Sequence, residues 1–236
     1  MNVLSVELAI SVITLVVAYF IVTTLAGSFR AWIAYSFGDD TAESLGLMSL
    51  NPLVHADLIG MFFLLYLGFG WGKRVPVNPF KIRGPYRMSK IVFAYLSDTF
   101  AHLSMAFIFF SALIYFFGLR VINLAIPMIY FGRLMQSQFA QFYPDSSSLA
   151  ISLGLICIAL IFFNVLLAVL NFILNVFNLL VYAFFYDSFS YSRYRDVLMF
   201  VIPIFFIYFF IGPLRFLVIK FLYKLGVLFA QLFNVL

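Results

Sequence analysis

A stretch of 38 residues without a single charge, from Leu149 to Tyr186, restricts this chain more than any other feature of its sequence. About 20 apolar residues are enough for a helix to cross a bilayer, and a soluble domain cannot hide so long a run from water. Of all 236 residues, 65% are hydrophobic and 10% are charged. Soluble domains carry about 25% charged residues. The sequence therefore predicts an all-α polytopic membrane protein.

Four stretches of a single membrane domain, residues 1–236, are predicted to span the bilayer. Their apolar runs lie at residues 3–25, 91–119, 149–186 and 197–212. Residues 149–186 are too many for one span and too few for two spans with a turn, so one span with a broken or buried continuation is predicted there. Two further helices are predicted to lie at the membrane interface, because charges or a proline interrupt their apolar residues. These are the segments at residues 121–143 and 214–236.

The connection between the first two spans, residues 28–90, is predicted to lie in the cytoplasm. Residues 73–90 hold six Lys or Arg and no acidic residue, and such loops stay on the cytoplasmic side. The N-terminus is then expected outside. Residues 58–71 are apolar, but as a helix they would measure about 21 Å, which is short of the roughly 30 Å hydrocarbon core. They are predicted to form a re-entrant hairpin covered by other helices.

Two sequence motifs within this connection are unlike the rest of the chain. They read NPLVHADLIG at residues 51–60 and GWGKRVPVNP at residues 70–79, and the segment AWIAY at residues 31–35 precedes them. Together they resemble the compact bacterial branch of the site-2 protease family, which are intramembrane zinc metalloproteases. The resemblance implies a location in the bacterial cytoplasmic membrane. The loop residues that match the family are Asn51, Pro52, His55, Asp57, Gly60, Trp71, Pro76, Asn78 and Pro79.

The resemblance also implies a zinc site whose residues differ here. Such proteases carry H-E-x-x-H directly before the AWIAY segment, where two histidines hold zinc and the glutamate activates its water. The aligned positions include Ala26, Gly27 and Arg30, and the chain has no H-E-x-x-H. The family's third ligand is an aspartate, and Asp187 stands one residue away from its aligned position. The pattern predicts a catalytically degenerate member: not an enzyme, with no metal and no cofactor.

A second candidate site consists of polar residues within the apolar segments. Arg30 is predicted to pair with Asp98, because an unpaired aspartate in a bilayer is costly. The alternative is that Arg30 only reaches the headgroups. Asp98 and His102 are four residues apart and share one helix face, which suits either a structural hydrogen bond or proton relay. The full predicted cluster is Arg30, Asp98, His102, Asn171 and Asn178.

Three functions are compatible with these patterns. The favoured one is a non-catalytic membrane scaffold or accessory subunit that contacts the lipid bilayer and other membrane proteins through transmembrane helices. An alternative is a divergent zinc metalloprotease with relocated ligands. A further alternative is a small transport or proton-pathway component. Nucleic acid is not expected as a partner, because the basic residues lie in membrane-flanking loops. Candidate relocated ligands are His55, Asp57, Asp98, His102 and Asp187.

Overall fold

The protein is an all-α membrane protein, as predicted. A computed structural model describes residues 3–68, 70–131, 136–185 and 193–232. Within these ranges there is no strand, and a single antiparallel bridge joins Ala56 to Gly72. The helices are α1 (Val3–Ser36), α2 (Thr41–Ser44), α3 (Pro52–His55), α4 (Leu58–Leu67), α5 (Arg87–Phe117), α6 (Val121–Phe131), α7 (Gln136–Phe142), α8 (Ser148–Phe185) and α9 (Arg193–Leu232).

Three helices of the described chain are long and apolar enough to cross a membrane. They are Val6–Ser36 in α1, Arg87–Phe117 in α5 and Ser148–Ala183 in α8. Each overlaps one of the four predicted spans. The fourth, residues 197–212, lies within α9 and stays a prediction.

The central helix of the bundle is α8. Of its most apolar 18-residue window, 78% is buried, against 39% in α1 and 33% in α5. It packs against α1, α5 and α9. Fully buried rings such as Phe110, Phe163 and Tyr19 fill the space between these helices. Because α8 contacts the other long helices, polar side chains along it can join them.

Contrary to the sequence-based expectation, α8 has no break in the described residues 148–185. At 1.5 Å per residue it is about 57 Å long, well beyond a hydrocarbon core of about 30 Å. Three of its four asparagines, at positions 164, 175 and 178, have side-chain hydrogen-bond partners within the described residues. Asn164 and Asn178 donate to the backbone oxygens of Leu160 and Leu174, at 2.9 and 2.6 Å.

The ends of several other elements also differ from the predicted ones. Helix α1 continues to Ser36, so the first connection starts there and not at residue 28. Within residues 121–143 the described residues are helical on both sides of residues 132–135, as α6 and α7, and those four residues lie outside the described ranges, so the single helix expected there stays a prediction. Helix α9 passes through Pro203 and Pro213, where a span was expected to end at residue 212. Neighbouring helices can satisfy the backbone groups that proline frees.

A tight hairpin follows α3 and contains α4. Asp57 accepts a hydrogen bond from the Gly60 amide at 2.7 Å and begins α4, and Gly68, with φ +75°, ends it. The Tyr19 hydroxyl on α1 donates to the Trp71 carbonyl at 3.0 Å and accepts from the Asp57 amide at 3.1 Å. Both arms of the hairpin are therefore attached to α1. Ten residues give α4 a length of about 15 Å, too short to span a bilayer.

Candidate functional site

Arg30 forms a buried ion pair between α1 and α5. Its side chain is held so that Nη1 lies 2.6 Å from Asp98 Oδ2 and 3.2 Å from the Tyr95 carbonyl oxygen. The whole residue is only 3% exposed. The predicted pairing with Asp98 is thus present, and the alternative, in which Arg30 only reaches the headgroups, does not fit this burial.

Asn175 of α8 forms hydrogen bonds with both members of this ion pair. Its Oδ1 accepts from Arg30 Nη1 at 2.9 Å, and its Nδ2 donates to Asp98 Oδ1 at 2.8 Å. The Thr99 amide also donates to Asp98 Oδ1, at 2.7 Å. Both carboxylate oxygens of Asp98 are therefore satisfied, as a buried charge requires. Arg30, Asp98 and Asn175, the three-helix polar cluster, join α1, α5 and α8 at one point.

The other predicted members of the polar cluster lie apart from this contact. His102 Nδ1 is 2.9 Å from Asn164 Oδ1, one turn of α5 beyond Asp98. Asn178 lines a cavity beside Arg30, and Asn171 is half-buried elsewhere on α8. The predicted cluster thus left out the two asparagines, 164 and 175, that form interhelical bonds. Helical spacing could not have distinguished them, because all four asparagines of α8 fall within about 60° of one helix face.

His55 holds the first loop motif, residues 51–60, against α1. It is fully buried, and its Nε2 lies 2.8 Å from the Ser49 carbonyl oxygen and 3.0 Å from Ser28 Oγ. Its Nδ1 has no hydrogen-bond partner among the described residues and lies against Gly27, where a Cβ would come within 2.4 Å. Only glycine at position 27 leaves room for this ring. The segment aligned with H-E-x-x-H is thus covered by the loop.

The remaining loop-motif residues shape the connection. Asn51 accepts from the Leu53 amide at 3.1 Å and caps α3, whose first residue is Pro52. The Asn78 amide donates to the buried Asp39 at 2.6 Å. The carbonyl of Pro79 accepts from Arg87 Nη2 at 3.1 Å. These contacts hold the loop over the ends of α1 and α5.

The burial of His55 predicts a pH dependence. Burial lowers its pKa below the ordinary value; the Ser49 bond opposes this shift, and the charge of Lys73 adds to it. Because the unfolded chain then binds the proton more readily, stability should be complete above about pH 6.5 and fall as the pH decreases below it. Melting temperatures in detergent between pH 7.5 and 5.0 test this. The decrease should be smaller in His55→Gln, and an equal decrease in both proteins would contradict the prediction.

The residues at the aligned motif do not fit a zinc ion. A catalytic zinc takes three protein ligands, with distances of about 2.0–2.3 Å. Ala26 and Gly27 have no donor atom, Arg30 is positively charged, and Asp98 is fully occupied by Arg30, Asn175 and a backbone amide. His55 Nδ1 is one free nitrogen, and no group of three or more possible ligands occurs in the described part of the chain. Asp187 lies outside that part.

A cavity of about 250 Å³ opens beside Arg30. Its two guanidinium groups are those of Arg30 and Arg74, the latter from the second loop motif. Arg30 is buried, whereas Arg74 is exposed to solvent. The cavity is therefore positively charged. Its walls are Arg30, Arg74, Val75, Pro76, Val77, Tyr95 and Asn178.

The chain is similar to a curated protein over part of its length. It is 45% identical over 67 residues to the protein named "Putative zinc metalloprotease YwhC" from Bacillus subtilis strain 168. The matched stretch covers 28% of this chain and 29% of that protein. No protein-family model and no solved structure matches the chain.

This similarity overturns one prediction made from the sequence. The missing H-E-x-x-H led to the expectation that the chain is not an enzyme, and that expectation is wrong, because the name of the similar protein points toward an enzyme. A missing motif excludes one set of ligands and does not decide whether a chain is catalytic. Together, the apolar helices and the partial match support an integral membrane protein that is similar to site-2 proteases.

Proposed function

We propose that this membrane protein binds a transmembrane segment of another membrane protein and serves as a scaffold or accessory subunit of a membrane complex. The observation that carries the proposal is the α4 hairpin. It is attached to α1 on one side and presents an unusually exposed apolar row on the other. Leu58 is 85% exposed and Tyr66 is 79% exposed, and Ile59, Phe62 and Leu65 are also exposed.

The spacing of these side chains suits contact with another helix. Leu58, Phe62 and Leu65 lie at positions i, i+4 and i+7, which fall on one helix face. The rings of Phe62 and Tyr66 stack, with centroids 5.8 Å apart. A helix of about 15 Å covers only part of the bilayer depth, so a longer partner segment alongside it would cover this face. The similarity to site-2 proteases also supports binding of a membrane segment at this face of α4, because such proteins receive membrane-embedded substrates.

Site-specific photo-cross-linking tests this proposal. A photoreactive amino acid at Phe62 or Tyr66, in the full-length chain in its native membrane, should give discrete protein adducts. The matched control is Ile108, which is 59% exposed on α5 and outside the hairpin. The control should give mainly lipid adducts. Protein adducts of equal yield from all three positions, or none from the hairpin, would contradict the proposal.

A second candidate function is cleavage of a membrane-embedded peptide bond. The name of the similar Bacillus subtilis protein favours it. The described residues do not fit the zinc ion of that chemistry, so no mechanism is assigned to them. Reconstituted protein with a tagged membrane substrate, with and without a metal chelator, tests it directly. Chelator-sensitive cleavage would support this candidate, and uncleaved substrate that still cross-links at Phe62 would favour binding alone.

We further infer an orientation in which residues 73–90 face the cytoplasm of a bacterial cell and the N-terminus faces outward. The six positive charges of that loop support this orientation. The three-helix polar cluster and its cavity would then lie near the cytoplasmic side of the bundle.

A further inference from the structure

We propose that the cavity between Arg30 and Arg74 binds an oxyanion: a phosphate group, carried by an anionic phospholipid or free in solution. The proposal is independent of partner binding at α4, because the two sites share no residue.

The charges around the cavity leave a positive excess. The carboxylate of Asp98 is already paired with Arg30. Arg74 forms no ion pair within the described ranges. Asp39, a buried carboxylate of the same connection, accepts from the Thr41 and Asn78 amides and is committed to the loop backbone. Among the described residues, two guanidinium groups therefore share one carboxylate, and a bound anion would relieve their mutual repulsion.

Arg30, which lines this cavity, also has a donor without a hydrogen-bond partner in the described structure. All of its hydrogen bonds in the described structure come from Nη1. Its Nε is buried and has no partner there. A buried donor without an acceptor is costly, and the Nε side of a guanidinium is suited to two parallel bonds with an oxyanion. Arg30 is thus held by Asp98 and Asn175 through Nη1, and the opposite edge of its guanidinium, Nε and Nη2, donates no hydrogen bond within the described residues.

The size and surroundings of the cavity favour a phosphate on a lipid. A volume of about 250 Å³ holds a phosphate with several waters, at about 30 Å³ per water. The wall formed by Val75, Pro76 and Val77 is largely apolar and suits the part of a lipid that adjoins its headgroup. Arg30 lies six residues, about 9 Å, before the end of α1, beside the basic loop at residues 73–90 that supplies Arg74. Basic pockets between transmembrane helices are common sites for such headgroups.

Lipid retention by the full-length protein tests the proposal. The detergent-purified protein is stripped of lipid, incubated with phosphatidylglycerol or with zwitterionic phosphatidylcholine, and analysed by native mass spectrometry. The test variant is Arg74→Gln. The matched control is Lys73→Gln, which removes an adjacent exposed charge that does not line the cavity. Phosphatidylglycerol should be retained by the unsubstituted protein and by Lys73→Gln, and about tenfold less by Arg74→Gln, as expected for the loss of one charge-assisted contact.

A second measurement distinguishes a phosphate group carried by a lipid from phosphate free in solution. Melting temperature is measured with inorganic phosphate and with chloride at equal ionic strength. Stabilisation by phosphate that is lost in Arg74→Gln, without selective lipid retention, would support the site with free phosphate as its ligand. Equal lipid loss from Arg74→Gln and Lys73→Gln would indicate only surface charge and would overturn the proposal. Absence of both lipid retention and phosphate stabilisation would overturn it as well.

Discussion

Asp98→Ala is expected to lower the free energy of unfolding by about 3–5 kcal/mol, because it leaves the Arg30 guanidinium buried without its counter-charge. The same substitution removes the acceptor of Asn175 Nδ2 at 2.8 Å. The contacts of α1 with α5 and α8 should loosen together. Reversible unfolding in mixed micelles, or the melting temperature in detergent, measures the effect.

Two controls identify the buried charge as the cause. Asp40→Ala removes the partner of Lys81 in an exposed ion pair and should leave stability unchanged within error. The triple variant Arg30→Met/Asp98→Leu/Asn175→Leu removes both charges and the buried amide that bonds them, and it should recover most of the loss, because apolar side chains can replace a buried polar group whose partners are all removed. A small effect of Asp98→Ala, similar to that of Asp40→Ala, would contradict the buried ion pair.

Gly60→Ala or Gly70→Ala is expected to open the α4 hairpin. A Cβ on Gly60 would lie 2.0 Å from the Trp71 carbonyl oxygen, and one on Gly70 would lie 2.1 Å from the Gly60 carbonyl oxygen. Both clashes are with backbone, which cannot rotate away as a side chain can. Such overpacking costs about 1–3 kcal/mol or more, so the hairpin should separate from α1. Limited proteolysis between residues 58 and 72, followed by mass spectrometry, detects the opening.

Gly212→Ala is the matched control for the hairpin glycines. Position 212 lies in α9, and an added Cβ there would meet no atom of the described residues within 4 Å. Alanine is a better helix former than glycine, so this variant should be as stable as the unsubstituted protein or more so. Cleavage that stays as slow in Gly60→Ala and Gly70→Ala as in Gly212→Ala would contradict the tight hairpin.

The fold class and the long helices could be predicted because they depend on apolar length alone. The ends of helices depend on partners far away in sequence. The length of residues 149–186 suggested a break, yet α8 continues, and its residues Asn164 and Asn175 bond His102 and Asp98 of α5. Proline at position 213 suggested an end, yet α9 continues beyond it. Whether a helix ends or continues at such residues depends on its packing against neighbouring helices.

The candidate site could be predicted in part. The cost of an unpaired charge in a bilayer led to the Arg30–Asp98 pair from sequence alone. The position of His55 against Gly27 could not be foreseen, because 28 residues separate them and only the folded loop brings them together. Arg74 had appeared only as one of six loop charges. Its place beside Arg30 depends on how the loop after α4 returns over α1.

The measurement that tests the proposed function most directly is the cross-linking yield at Phe62 relative to Ile108, in native membranes and at equal expression. Both side chains are about 60% exposed, so lipid contact alone would give similar protein yields at the two positions. Partner binding at the α4 hairpin predicts one discrete protein adduct at Phe62, in several-fold excess over Ile108. Equal yields at the two positions, or a lipid adduct alone at Phe62, would contradict it.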